Sequence, residues 1–158
     1  MSNIFIVGAT GGVGSRLGPM LVKAGHKVTA LHRKPEQASH LTDAGMTPCL
    51  GDIMKMTADD FTNFTNNSDV IVFSAGAAGS GPERTDAIDG KGVAKTIQAA
   101  KANGISRVYL VSAFMDAIRD QPKMEGFEHY MRVKRKADNA LVASGLEWVI
   151  LRAGTLIS

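Results

Sequence analysis

The chain has little of several things, and each shortage removes a class of protein. One residue in 158 is cysteine, Cys49, so no internal disulfide can form and a reducing, cytoplasmic setting is expected. That cysteine and four scattered histidines give no metal-ligand spacing, so no zinc or iron site is expected. The formal charge of +3 comes without a clustered basic stripe, which argues against nucleic acid as a partner. No apolar stretch approaches the length of a membrane span. The first residues also lack the basic and apolar regions of a signal peptide. There is no internal repeat and no low-complexity segment. What remains is an ordinary globular composition, 44% hydrophobic and 21% charged. Its length suits one domain over 1–158 with a sizeable core.

What is present begins with Gly8-Ala9-Thr10-Gly11-Gly12-Val13-Gly14. An apolar run, Asn3 to Val7, precedes it, and a helical pattern from Val13 to Ala24 follows, with Val13, Leu17, Met20, Leu21 and Ala24 at helical spacing. Strand, glycine turn and helix form the context in which such a motif holds a dinucleotide. Gly8 lets the chain turn sharply out of the strand. Gly11 has no Cβ, so a pyrophosphate can approach the backbone. Gly14 lets the helix pack closely on the strand. The free N–H groups and positive end of the helix then face the phosphates.

The rest of the chain alternates strand and helix. Lys27 to Leu31 reads as a second strand and ends in His32-Arg33-Lys34-Pro35. An acidic residue here would bind the ribose 2′-hydroxyl of NAD, whereas a basic one accommodates the 2′-phosphate of NADP. No acid occurs before Glu36, so Arg33 favours NADP over NAD; a solvated turn residue is the alternative. Arg16 can assist or be surface. A helix is expected over Glu36 to Asp43, a third strand over Thr47 to Leu50, and a helix capped by Thr57 up to Phe64. Asp69 to Phe73 is an apolar run suited to a strand buried on both faces. A second glycine-rich loop, Ser74 to Pro82, follows it, where ligands of open α/β sheets bind. Thr85 to Asn103 reads as one helix interrupted by Gly90 and Gly92, Arg107 to Ser112 as the fifth strand, a helix runs to Ala143, and Glu147 to Leu151 is the sixth strand. Alternation of this kind implies right-handed crossovers and an α/β, doubly wound parallel sheet, with strand order 3-2-1-4-5-6.

The spacing of the first glycines, G-x-x-G-x-x-G, resembles the GATGxxG motif of the extended and atypical short-chain dehydrogenase/reductases. The whole chain is similar to the small NAD(P)H-binding proteins grouped with NmrA-like and flavin or biliverdin reductase-like members. The resemblance implies cofactor contacts at Gly8, Thr10, Gly11, Gly12, Val13, Gly14 and Arg33. It adds Asp52 and Ile53 after the third strand, with the Asp52 side chain on the adenine amino group; capping the local turn is the alternative. It adds Ser74, Ala75 and Gly76 in the second loop. Asp89 to Gly92 matches the family's Asp-x-x-Gly, and Arg152-Ala153-Gly154 its Arg-Pro-Gly with alanine for proline.

Tyr130 and Lys134 stand four apart, on one helix face. A phenol is a poor acid near neutrality unless a cation stabilises its anion, and an ammonium one turn away is expected to do so. This is the family's Tyr-x-x-x-Lys pair, which implies Tyr130 as proton donor and Lys134 as the partner that also holds the nicotinamide ribose. Chance spacing on a solvated face is the alternative. Ser112 is the third catalytic candidate. The family's serine falls one or two residues later, where Ala113 and Phe114 stand, and Ser112 has the register of the structural serine before it. His129 is a possible substitute acid or a surface histidine. Met115, Met124, Phe114 and Phe127 suit either a planar aromatic acceptor or plain packing.

The implied function is NADP(H)-dependent hydride transfer to a small planar acceptor, a flavin, quinone or related carbonyl, by a monomer or homodimer. An NmrA-like cofactor-sensing module without turnover is the alternative, and sugar-nucleotide epimerase or dehydratase chemistry is the third. In the resembled family, segments after the sixth strand close the substrate pocket. Here only Gly154 to Ser158 follow it, so either the site is open or a closing segment lies beyond this stretch.

Overall fold

The computed structural model describes residues 1–77, 80–113 and 126–154. The first strand shows how the architecture arises. In β1 (Asn3–Val7) the four residues Ile4 to Val7 are all buried, as a continuous apolar run must be when both faces of a parallel sheet are covered. Successive side chains point to opposite faces. Phe5 and Val7 join one core with Phe61, Ile71 and Phe73. Ile4 and Ile6 join a second with Val28, Ala30 and Leu41. Phe5 meets the edge of Phe61 with ring centroids 5.7 Å apart and planes at 83°.

The remaining elements are α1 (Gly14–Lys23), β2 (Lys27–His32), α2 (Ala38–Asp43), β3 (Thr47–Leu50), α3 (Ala58–Phe64), β4 (Val70–Phe73), α4 (Pro82–Arg84), α5 (Val93–Ala102), β5 (Arg107–Ala113), α6 (Phe127–Val142) and β6 (Glu147–Ala153). The strands pair in parallel in the order β3-β2-β1-β4-β5-β6, the order expected from the alternation. Order reverses between β1 and β4, so a crevice opens beyond the C-terminal ends of these strands. The Thr57 hydroxyl caps α3 by accepting from the Asp60 N–H at 3.1 Å, and the Asp60 carboxylate accepts from the Thr57 N–H at 2.9 Å. Among the described residues no helix is long and apolar enough to cross a membrane.

Three local expectations are corrected. The helix expected over Glu36 to Asp43 opens with a tighter 3-10 turn, Pro35–Gln37, because proline fixes the first dihedral and supplies no N–H. Met20 lies on the outside of α1 and is exposed; the fully buried positions are Gly14 and Gly18, with Leu17, Leu21 and Val22 partly buried against the core beside them. The helix expected over Thr85 to Asn103 is π-helical from Thr85 to Gly92 and becomes α-helical only at Val93. Two glycines weaken regular helix in that stretch. At Gly92 an added Cβ would lie 3.0 Å from the Phe73 ring, so close packing occupies the space a side chain would need. The wider winding brings Asp89 to full burial.

Candidate functional site

The glycine turn has the geometry its residues require. Gly8 has φ +86°, and a Cβ there would sit 2.5 Å from the Ala75 nitrogen in the loop after β4. A Cβ on Gly14 would overlap the Gly8 carbonyl oxygen and lie 2.7 Å from the Ala9 Cα. Gly11 and Gly12 are not crowded in this way: a Cβ on Gly11 would lie 3.4 Å from the Gly8 oxygen and one on Gly12 4.0 Å from the Arg16 guanidinium, ordinary contact distances. Gly8 and Gly14 therefore let the two loops and α1 close up, while Gly11 and Gly12 leave bare backbone toward solvent. The start of α1 has no side-chain cap and no acidic residue in its first turn. The Ser15 and Arg16 N–H groups already donate to the Gly11 and Val13 carbonyls at 2.9 and 3.2 Å, so the donors left for an anionic ligand are the N–H groups just before them, at Gly12, Val13 and Gly14. The Arg16 guanidinium turns back to donate to the Gly12 carbonyl at 2.7 Å.

A cleft of about 450 Å³ runs from this turn along the strand ends, a volume within the roughly 300–1,000 Å³ of small-molecule sites. Gly8, Thr10, Gly11, Gly12, Val13, Arg33, Asp52, Ile53, Ser74, Ala75, Gly76, Ser112, Tyr130 and Lys134 all line it. Gly14 does not; it lies buried beneath the turn. At the β2 end, Arg33 is exposed at the cleft wall. The Asp52 carboxylate accepts from the Met54 N–H at 2.9 Å, so it caps its own turn while lining the cleft. Lys95 donates to the Ile53 carbonyl at 2.9 Å and ties that turn to α5. The Ser74 hydroxyl donates to the Val7 carbonyl at 3.0 Å, fastening the second loop to the end of β1.

The other end gathers Ser112, Tyr130 and Lys134. The Ser112 hydroxyl is buried with no hydrogen-bond partner among the described residues. The Lys134 ammonium lies 5.9 Å from the Tyr130 ring centroid. It is not a surface charge: its side chain is 5% exposed and it pairs at 3.2 Å with Asp89, which is fully buried. The other Asp89 oxygen accepts from the Ala77 N–H at 3.0 Å. One carboxylate thus joins the second glycine loop to the lysine of α6. The expected lowering of the Tyr130 phenol by Lys134 is therefore corrected. Burial first, and the Asp89 charge second, push the phenol above its ordinary value.

Asp89 is the residue that sequence reasoning missed as part of this site. Its signals were the Asp-x-x-Gly match from Asp89 to Gly92 and an acid amid the apolar positions of the helix after β4, and neither pointed to Lys134. Arg84, His32 and Ile88 also line the cleft and were not singled out. His129 pairs with Asp86 at 2.7 Å. Phe127 lies beside Tyr130 with ring centroids 6.4 Å apart, whereas Phe114, Met115 and Met124 fall outside the described residues. Arg152 reaches the buried Asp138 of α6 at 3.3 Å and so ties β6 to that helix. Among the described residues no group of three or more His, Cys, Asp or Glu could hold a metal ion.

A parallel sheet in this order, with an uncapped helix behind a bare glycine turn at the reversal point, defines a Rossmann-type dinucleotide-binding protein. Comparison with known proteins gives the narrower assignment. The chain belongs to the NAD(P)H-binding family, whose model matches residues 8–158, within the short-chain dehydrogenase/reductase superfamily that its motifs resemble. It is 35% identical over 155 residues to the uncharacterized sugar epimerase YhfK of Bacillus subtilis, covering 97% of this chain and 72% of that protein. Its fold is similar to that of a putative NAD-dependent epimerase/dehydratase from Bacillus halodurans, with TM-score 0.88, 33% identity, and coverage of 100% of this chain and 72% of that one. It is also similar to the oxidoreductase ylbE of Lactococcus lactis, with TM-score 0.81, 26% identity, and coverage of 98% and 70%.

Proposed function

We propose that the protein is an NADP(H)-dependent oxidoreductase that passes hydride to a small planar acceptor: a flavin, a quinone or a related carbonyl. The observation that carries this reading is the placement of the buried, unpartnered Ser112 hydroxyl in one cleft with Tyr130 and Lys134, at the far end from Arg33. An orphaned buried hydroxyl costs free energy unless a ligand completes it. The bare turn at Gly11 and Gly12 and the uncapped start of α1 suit a pyrophosphate by the same logic.

The cofactor, when bound, supplies the hydride. The chain's own groups do the rest. Backbone N–H groups at the start of α1 hold the phosphates, and the Arg33 fork takes the 2′-phosphate. Lys134 orients the ribose beside the reacting ring. Ser112 donates to the acceptor oxygen or ring nitrogen and fixes its angle. Tyr130 gives its proton to the reduced acceptor atom, a transfer that burial and the Asp89 charge oppose by holding the phenol above its ordinary value and that placement beside the acceptor must favour.

The test is NADPH oxidation monitored with flavin and quinone acceptors, in wild type and Tyr130→Phe. A fall in kcat of about 10²- to 10⁴-fold, the usual worth of a positioned acid, with NADPH affinity unchanged, is expected. Equal turnover by both proteins removes Tyr130 from the mechanism. Absence of turnover with every acceptor, beside intact NADPH binding, leaves a cofactor-sensing module. A second reading, redox-neutral epimerase or dehydratase chemistry, is favoured by the similarity to the two Bacillus proteins named for it. It predicts conversion of a sugar nucleotide with no net NADPH consumed.

A further inference from the structure

We propose that Arg84 is an acceptor-recognition residue that binds a carboxylate or phosphate group carried by the planar acceptor. The assignment rests on the hydride-transfer reading above and specifies its substrate class. Arg84 ends the short α4 and lines the cleft. It is held rather than loose. Its Nε donates to the Ser80 hydroxyl at 3.0 Å, and that hydroxyl donates to the Ala77 carbonyl at 2.5 Å. Gly81 turns the chain with φ +111° and Pro82, with its fixed φ, starts the helix. Using Nε fixes the guanidinium plane and leaves the two terminal nitrogens, the fork that grips an anion with two parallel bonds.

Among the described residues its charge has no counterpart. Among the described residues the ion pairs join Arg107 to Glu147, His129 to Asp86, Lys134 to Asp89 and Arg152 to Asp138. Arg84 is in none of them. Lys134, the other cation at this end, is neutralised by Asp89. The dinucleotide's own anions are assigned elsewhere: the pyrophosphate to the turn after β1 and the 2′-phosphate to Arg33 after β2. Arg84 follows β4, on the other side of β1 in the sheet. Asp86, two residues on, pairs with His129, the neighbour of Tyr130. The unmatched guanidinium therefore lines the cleft after β4, away from Arg33, where a neutral ring system would leave it unanswered.

The test uses FMN and riboflavin, which share one ring and differ by a phosphate, titrated by flavin fluorescence into NADP⁺-saturated protein. Wild type is expected to bind FMN at least ten-fold more tightly. Arg84→Gln should abolish that preference while riboflavin and NADP⁺ affinities stay within two-fold, and Arg84→Lys should retain part of it. Equal binding of the two flavins by wild type, or no binding of either, overturns the assignment. So does an Arg84→Gln protein that loses NADP⁺ affinity, because the arginine then serves the cofactor. Flavin binding needs no turnover. The expected FMN preference without NADPH oxidation sinks the hydride-transfer reading and supports the anion site. NADPH oxidation with an FMN preference untouched by Arg84→Gln sinks the anion site alone.

Discussion

Replacing Asp89 tests the electrostatics of the site most directly. Asp89 makes two bonds, one to the Lys134 ammonium at 3.2 Å and one to the Ala77 N–H at 3.0 Å, in a place where neither charge sees solvent. Asp89→Asn keeps the shape but can offer one oxygen, so at least one bond to a charged group is lost or weakened, a cost of about 1.5–3 kcal/mol. Asp89→Ala removes both acceptors and leaves Lys134 buried and uncompensated, a cost of about 3–5 kcal/mol. For a domain of this size each kcal/mol moves the melting temperature by roughly 2–4 °C, so Asp89→Asn should melt about 3–12 °C early. Denaturant unfolding would supply the free energies. Lys134→Met in the Asp89→Ala background should recover part of the loss, because the stranded charge is gone. The same change is read at Tyr130. With Asp89 removed, Lys134 is the nearer uncompensated charge, and the phenol should titrate lower. The chain has two tyrosines, so a Tyr109→Phe background isolates Tyr130 in an ultraviolet pH titration. In wild type the raised phenol favours the folded state below the unfolded value near 10, and that contribution is lost as pH rises through the folded one. An Asp89→Asn protein with an unchanged melting temperature and an unchanged tyrosine titration would refute the reasoning.

Two further outcomes follow from the same geometry. Gly14→Ala should destabilise by about 1–3 kcal/mol or more, because its Cβ meets backbone that cannot step aside, whereas Gly12→Ala should unfold near wild type; coincident denaturation curves would show that α1 is not seated as described. Arg33→Ala should weaken NADP⁺ by roughly 10- to 150-fold, the worth of a charge-assisted contact, and leave NAD⁺ alone. A calorimetric NADP⁺ preference that survives the substitution would move the 2′-phosphate elsewhere.

The fold was legible because its signals are local and repeated. The apolar runs at Ile4–Val7 and Val70–Phe73 carry strand period and burial together, and glycine at 8, 11 and 14 has a meaning tied to its neighbours. Thr57 followed by Asp60 is likewise a short-range pattern, and it caps α3. The cleft could be assembled from strand ends because the topology puts them side by side. What was not legible depends on three dimensions. Lys134 reads like its exposed neighbours Arg135 and Lys136, and only the packing of α6 against the π-helical turn buries it. The sign of the field at Tyr130 follows from Asp89, which lies 41 positions earlier in the chain. Arg84 acquires interest only once Lys134 is seen to be matched by Asp89 within the fold.

The wide winding from Thr85 to Gly92 has a consequence for how this protein can be altered. A single deletion between Asp89 and Val93 would let the segment heal into regular helix and swing everything upstream of it by about 100°, the angular step of one residue. α5 would keep its seat on the sheet, but Arg84 would leave the cleft and Asp89 would leave Lys134 at once. One codon's length of chain therefore holds the arrangement of charges in register, and removing it would be expected to silence the site while sparing the scaffold.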